Sequence, residues 1–186
     1  MKKTLITILC TVLACSCVMG VTLAFLMDKT ETITNTFTVG KVDIDLKETT
    51  GDNYKMIPGA TIAKNPKVTV KAGSEACWLF VKITETGNGD ADNKYITYTN
   101  YGWTALAGET GVYYREVEEL TAEGAQDRIF DVFTNNEVTV GTNVTQATGE
   151  VTIAVTAYAV QKTKVGTTDF TVAEAWAQAK TASINP

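Results

Sequence analysis

Two apolar runs read with a period of two, and they leave this chain little freedom of fold: CWLFVKIT at 77–84 and VTIAVTAYAVQ at 151–161. In the first, Cys77, Leu79, Val81 and Ile83 fall on one face, and Trp78 and Phe80 make the start of the other face apolar too. That is the pattern of a central strand covered on both sides. In the second, Val151, Ile153, Val155, Ala157 and Ala159 share a face, which predicts a strand in the interior of a sheet.

Shorter runs of the same kind recur between turn signals. KVTVK alternates around Val68 and Val70, and Ala72-Gly73-Ser74-Glu75 then turns the chain into the 77–84 run. The two are predicted to be antiparallel neighbours or to form a corner between sheets. Strands are also predicted at 95–99, 102–106, 111–117, 128–133 and 137–140, and over 37–46, where the apolar phase changes at Gly40 and predicts a bulge. Many short strands without an internal repeat predict an all-β fold, a jelly-roll-like β-sandwich. One helix is expected near the end. Thr171 and Glu174 fit a capping box, and Val172, Ala175, Trp176 and Ala179 fall on one helical face. Trp176 is expected to cover an open end or edge of the sandwich.

Ahead of the strands stands a segment of another kind. Lys2 and Lys3 precede a run of apolar and small residues from 4 to 19, and Thr22-Leu23-Ala24 sets small residues before a cut. Residues 1–24 therefore read as a secretory signal peptide cleaved between Ala24 and Phe25, with retention as an anchor or lipidation at Cys15 or Cys17 as alternatives. Residues 25–39 form an N-terminal arm rich in β-formers, and 40–186 the sandwich domain. The full chain has 16 basic and 21 acidic residues. Lys2 and Lys3 leave with the signal, so the formal charge of -5 becomes -5 - 2 = -7. An acidic surface repels phosphate backbones, which argues against a nucleic-acid partner. Cys77 is then the single cysteine left, read as a small buried hydrophobe.

The composition also removes chemistry. The chain has no histidine, so an H-E-x-x-H zinc site, a Ser-His-Asp triad and a Cys-His dyad cannot be built. Glu116, Glu118 and Glu119 read as a solvated acidic face. In the loop TGNGDADNKY, Asp90, Asp92 and Asn93 are weak candidates for calcium ligands, without the glycine and distal glutamate of an EF-hand loop. No catalytic residue and no cofactor are expected.

TLAFLMD followed by NTFTVGKVDIDL resembles the N-terminus of the TasA/camelysin family of secreted Gram-positive proteins, through Thr22, Ala24, Asp28, Asn35, Phe37, Gly40, Val42, Asp43 and Ile44. IPG (57–59), KNPKVTV (64–70) and VTAYAVQ with the helix after it resemble the same family. The resemblance implies processing by a SipW-type signal peptidase and a jelly-roll subunit of extracellular biofilm fibres. It also implies that the segment after the cleavage site serves as a donor strand for the next subunit. Camelysin has been described as a metalloprotease, and the lack of histidine departs from that activity. The arm suits the donor role on its own chemistry: Phe25, Leu26, Met27, Ile33 and Phe37 offer apolar side chains among β-tolerant threonines. Expected partners are further copies of the chain, head to tail, the signal peptidase, and other matrix proteins. Membrane contact is expected through an uncleaved signal segment alone. The alternative is a monomeric cell-surface adhesin or accessory binding module, recognising its target through loops 86–95 and 106–112.

Overall fold

The computed structural model describes residues 41–51, 53–164 and 168–182. Ala24, Phe25, Leu26, Met27, Ile33, Phe37 and Gly40 lie outside them, and with them the cleavage site, the arm and the predicted bulge. Ten strands and one helix make up the rest: β1 (Ile44–Lys47), β2 (Thr61–Ala63), β3 (Lys67–Val70), β4 (Cys77–Thr86), β5 (Ile96–Thr97), β6 (Thr104–Ala105), β7 (Val112–Val117), β8 (Arg128–Asp131), β9 (Glu137–Val140), β10 (Thr152–Gln161) and α1 (Val172–Ala182).

Every strand pairing is antiparallel. One layer has the order β10-β4-β7-β6; facing it are β1-β3-β8 and β2-β9-β5. The latter two are halves of one layer. The Val132 N–H donates to the Pro66 carbonyl (3.0 Å) and the Lys64 N–H to that of Asn136 (2.8 Å), so the ladder carries on across the break. The break is a 3-10 turn at Thr134–Asn136, where Asn135 and Asn136 both take φ of 57°. Asparagine tolerates this left-handed conformation better than most residues.

The chain crosses between layers after β3, β4, β5, β7 and β9, so the all-β expectation of a jelly-roll-like sandwich holds. β4 pairs on both sides and is covered on both faces, as its two apolar phases required. Cys77, Leu79, Val81 and Ile83 enter the interlayer core with Val68, Val70, Phe133, Val138 and Val140. Phe80, on the other face, packs with Val112, Ala175, Trp176 and Ala179. β3 and β4 lie in different sheets, which makes the turn at 72–75 a corner.

Several expectations need correction. Among the described residues the 151–161 run is not interior: β10 pairs there with β4 alone and stands at the edge of its sheet. Its inner side chains are only partly buried because no strand among the described residues shelters its far side. Trp176 covers no open end of the sandwich, but packs on its outer face over the edge strand β10 and β4. It lies on the outer face of the β4 layer, 5.3 Å from Phe80 and 5.4 Å from Tyr158 between ring centroids. Six strands are shorter than their runs, and β2 went unread. The helix start is as read: the Glu174 N–H donates to Thr171 Oγ1 (3.3 Å) and the Thr171 N–H to Glu174 Oε2 (2.9 Å). This reciprocal pair satisfies two backbone donors that a helix start leaves open.

Candidate functional site

Register determines which groups of β10 are free. The Lys162 N–H donates to the Ala76 carbonyl (2.7 Å), so the pair 162/76 is hydrogen-bonded, and antiparallel alternation carries this to every second pair along the ladder. On the other side of β4, the Ile83 N–H donates to the Gly111 carbonyl (2.8 Å), which places Cys77, Leu79, Val81 and Ile83 in the β7 ladder and agrees with that phase. It follows that Ile153, Val155, Ala157, Ala159 and Gln161 turn both N–H and C=O away from β4. Among the described residues no strand takes them up.

Exposed edges are usually blunted by charge, proline, a bulge or shortness. The other edges here follow that practice. β1 carries Asp45 and Lys47, β8 carries Arg128 and Asp131, and β5 and β6 are two residues each. β10 runs ten residues, TIAVTAYAVQ, with no charge and no proline. Cavities flank both of its halves. One, about 410 Å³, lies between Tyr54, Met56, Ile62, Val151 and Ile153, and another, about 490 Å³, between Ile44, Ala157, Ala159, Val160 and Ala179. The first is walled by a loop that is itself laced together. Tyr54 Oη donates to the Gly51 carbonyl (2.6 Å), Asn65 Oδ1 accepts from the Thr49 and Thr50 N–H groups, and Lys64 pairs with Glu48 at 3.0 Å.

The calcium candidates fall elsewhere. Asp90 and Asp92 are exposed on the 87–95 loop, and the Asn93 N–H closes a turn onto the Asp90 carbonyl (3.0 Å). That loop is held by Asn88, which sequence reading passed over as a turn residue. Its buried amide accepts from the Ile96 N–H (2.7 Å) and donates to the Ile96 carbonyl (2.9 Å) and to Glu85 (2.7 Å). Lys94 and Tyr98 also donate to Glu85, and against the cost of burial these donors hold its carboxyl below the usual range. Tyr98 is pushed up by burial and by the Glu85 carboxylate. Glu116 pairs with Lys162, and Glu118 lies 3.9 Å from Arg128. Cys77 is buried, and burial pushes its thiol up to about 11.

Together these features define a β-sandwich protein that carries, among its described residues, one long uncharged strand edge with no partner strand. Residues 1–95, half of the chain, match the family model described as camelysin metallo-endopeptidase, and the chain belongs to that family. The family is extracellular or cell-surface associated, in agreement with the resemblance read in the N-terminal stretch. No curated protein and no solved structure matches the chain. The family description implies a metal, which the residues described do not fit. Histidine is absent from the chain, Cys77 is enclosed in the core, and among the described residues no three Cys, Asp or Glu side chains converge. Among the described residues no helix is long and apolar enough to cross a membrane.

Proposed function

We propose that this protein is a secreted structural subunit of extracellular matrix fibres. In this reading a SipW-type signal peptidase cuts between Ala24 and Phe25, and residues 25–39 then pair as a donor strand with β10 of the next copy. The observation that carries the reading is the edge of β10, long, uncharged and, among the described residues, unpaired, between a mixed polar and apolar cavity that includes Lys64 and Glu150 and a more apolar one beside Ala157 and Ala159.

Gains and ordering cost are of the same order. Fifteen residues of arm span about 50 Å when extended, against about 33 Å for the ten of β10. The outward N–H and C=O groups of Ile153, Val155, Ala157, Ala159 and Gln161 offer up to ten hydrogen bonds, each contributing about 0.5–1.5 kcal/mol net. Burying Phe25, Leu26, Met27, Ile33 or Phe37 in the flanking cavities adds about 1.5–3 kcal/mol each. These gains oppose an ordering cost of about 1–2 kcal/mol per arm residue. Arm and edge are different surfaces of the same chain, so the contact is heterologous and propagates as an open filament.

Sedimentation of 25–186 beside 40–186, with electron microscopy of the pellets, tests the proposal. Filaments from the longer chain and a folded monomer from the shorter are expected. Two folded monomers would leave the arm idle and favour an adhesin or accessory module. Unfolding of the shorter chain would assign residues 25–39 to the protein's own sheet.

A further inference from the structure

Asn88 and Gly89 are set side by side by two separate demands of the fold. Asn88 is needed for its amide, which closes the 87–95 loop between β4 and β5. Its Oδ1 accepts from the Ile96 N–H (2.7 Å), and its Nδ2 donates to the Ile96 carbonyl (2.9 Å) and to Glu85 Oε2 (2.7 Å). Gly89 is needed for the side chain it lacks. At its φ of 70° a Cβ would come within 2.4 Å of the Asn93 carbonyl oxygen, a gap and a conformation that suit glycine alone. No other asparagine in the chain precedes a glycine. Asn-Gly is also the dipeptide most prone to lose ammonia, because glycine leaves the backbone nitrogen beside the asparagine unshielded.

In that reaction the Gly89 nitrogen attacks the side-chain carbonyl carbon of Asn88, the bond to the side-chain nitrogen breaks, and ammonia departs with the Gly89 amide proton. Water then opens the cyclic imide at either of its carbonyls, leaving aspartate or isoaspartate at 88. The net change is hydrolysis of one amide, and water is the single co-reactant. The attack requires the side chain to turn toward Gly89, and three hydrogen bonds on a buried amide oppose that turn. We propose that Asn88 is a spontaneous modification site, which the closed loop protects and whose reaction makes an opening of residues 87–95 permanent. The product cannot close the loop again. Where the amide nitrogen donated, a carboxylate oxygen would meet two acceptors, the Ile96 carbonyl and Glu85. Glu85 is already paired with Lys94 and accepts from Tyr98, so a second carboxylate would crowd the first in a half-buried place.

Peptide mass spectrometry of the protein held at mildly alkaline pH, native and across a urea series, tests the proposal. In the fully unfolded chain Asn88 should be the first asparagine to convert. In the native protein it should convert at least about tenfold more slowly, since the reaction then waits on a loop opening that costs free energy. Its rate should begin to rise at urea concentrations below the global transition, which tryptophan fluorescence reports. Asn88→Asp, the product made directly, should melt at a lower temperature than wild type, and trypsin should cut it sooner after Lys94. Four results would each overturn the proposal: equal rates in native and unfolded protein, earlier conversion at another asparagine, a rate that rises only with the global transition, or an Asn88→Asp protein as protected at Lys94 as wild type. Should Asn88→Asp fail to fold, the wild-type rates decide the matter.

Discussion

Asn88 and Arg115 show what a single residue can do that a pattern does not announce. In TGNGD an asparagine between glycines reads as a turn, yet its amide replaces a missing strand for Ile96; in VYYREV an arginine reads as a solvent face, yet its side chain runs between two rings. Asn88 depends on the backbone of Ile96, eight residues on, and Arg115 on rings in other segments, pairings that local composition does not encode. Thr171 and Glu174 are the opposite case, legible because the partners lie three residues apart. Lys164, which pairs with Glu174 at 2.9 Å, and the Thr171 donors hold the Glu174 carboxyl down at about 2, from an ordinary 4.5. A carboxyl depressed on folding stabilises the native state above its unfolded value, and that contribution is lost as pH falls through its folded one. Thermal melts of wild type against Glu174→Gln should therefore differ most above pH 4.5 and converge toward pH 2. Thr171→Ala should lower stability by about 1 kcal/mol at neutral pH, read by urea denaturation, from the lost cap.

At the level of elements, burial was legible and pairing was not. Period-two alternation reports which faces of a strand are covered, so β4 was placed correctly from its two apolar phases. The same reasoning misplaced β10, because an inner apolar face is equally compatible with a central strand and an edge strand. The signal that could have found the edge is the strand-by-strand distribution of charge: β1 and β8 are guarded by charged residues, while β10 is not. The three residues of β2 were too short to register as alternation. The register of β10 allows a sharp test of its role. Ala157 turns its N–H outward, whereas Thr156 is engaged with Lys82 in the ladder. Proline is tolerated in a strand where its missing N–H faces an open edge and damaging where it interrupts a ladder. Ala157→Pro should remain a folded monomer by circular dichroism and lose sedimentable polymer; Thr156→Pro, which breaks a ladder hydrogen bond to β4, should be markedly less stable. Polymer of wild-type abundance from folded Ala157→Pro would place the inter-subunit contact away from this edge.

For the molecule as a whole, charge sets the terms on which copies meet. The full chain carries -5, and the chain from Phe25 onward -7 by the loss of Lys2 and Lys3. Copies of one acidic protein repel each other, and the repulsion acts over a distance of about 10 Å at 0.1 M salt and about 30 Å at 0.01 M. The edge of β10 contributes no charge of its own, so the short-range attraction there, from backbone pairing and apolar burial, changes little with salt. Self-association should accordingly be slow at 0.01 M salt and faster at 0.15 M, and it should quicken again as the pH falls toward the isoelectric point, about 4.8 for the full chain and lower once Lys2 and Lys3 are gone. Light scattering of the chain from Phe25 onward across a salt series gives the sign directly. Acceleration by salt is the mark of an apolar, backbone-paired contact formed against net repulsion. Inhibition by salt would mean that opposite charges bring the copies together, and would place the contact away from the uncharged edge of β10.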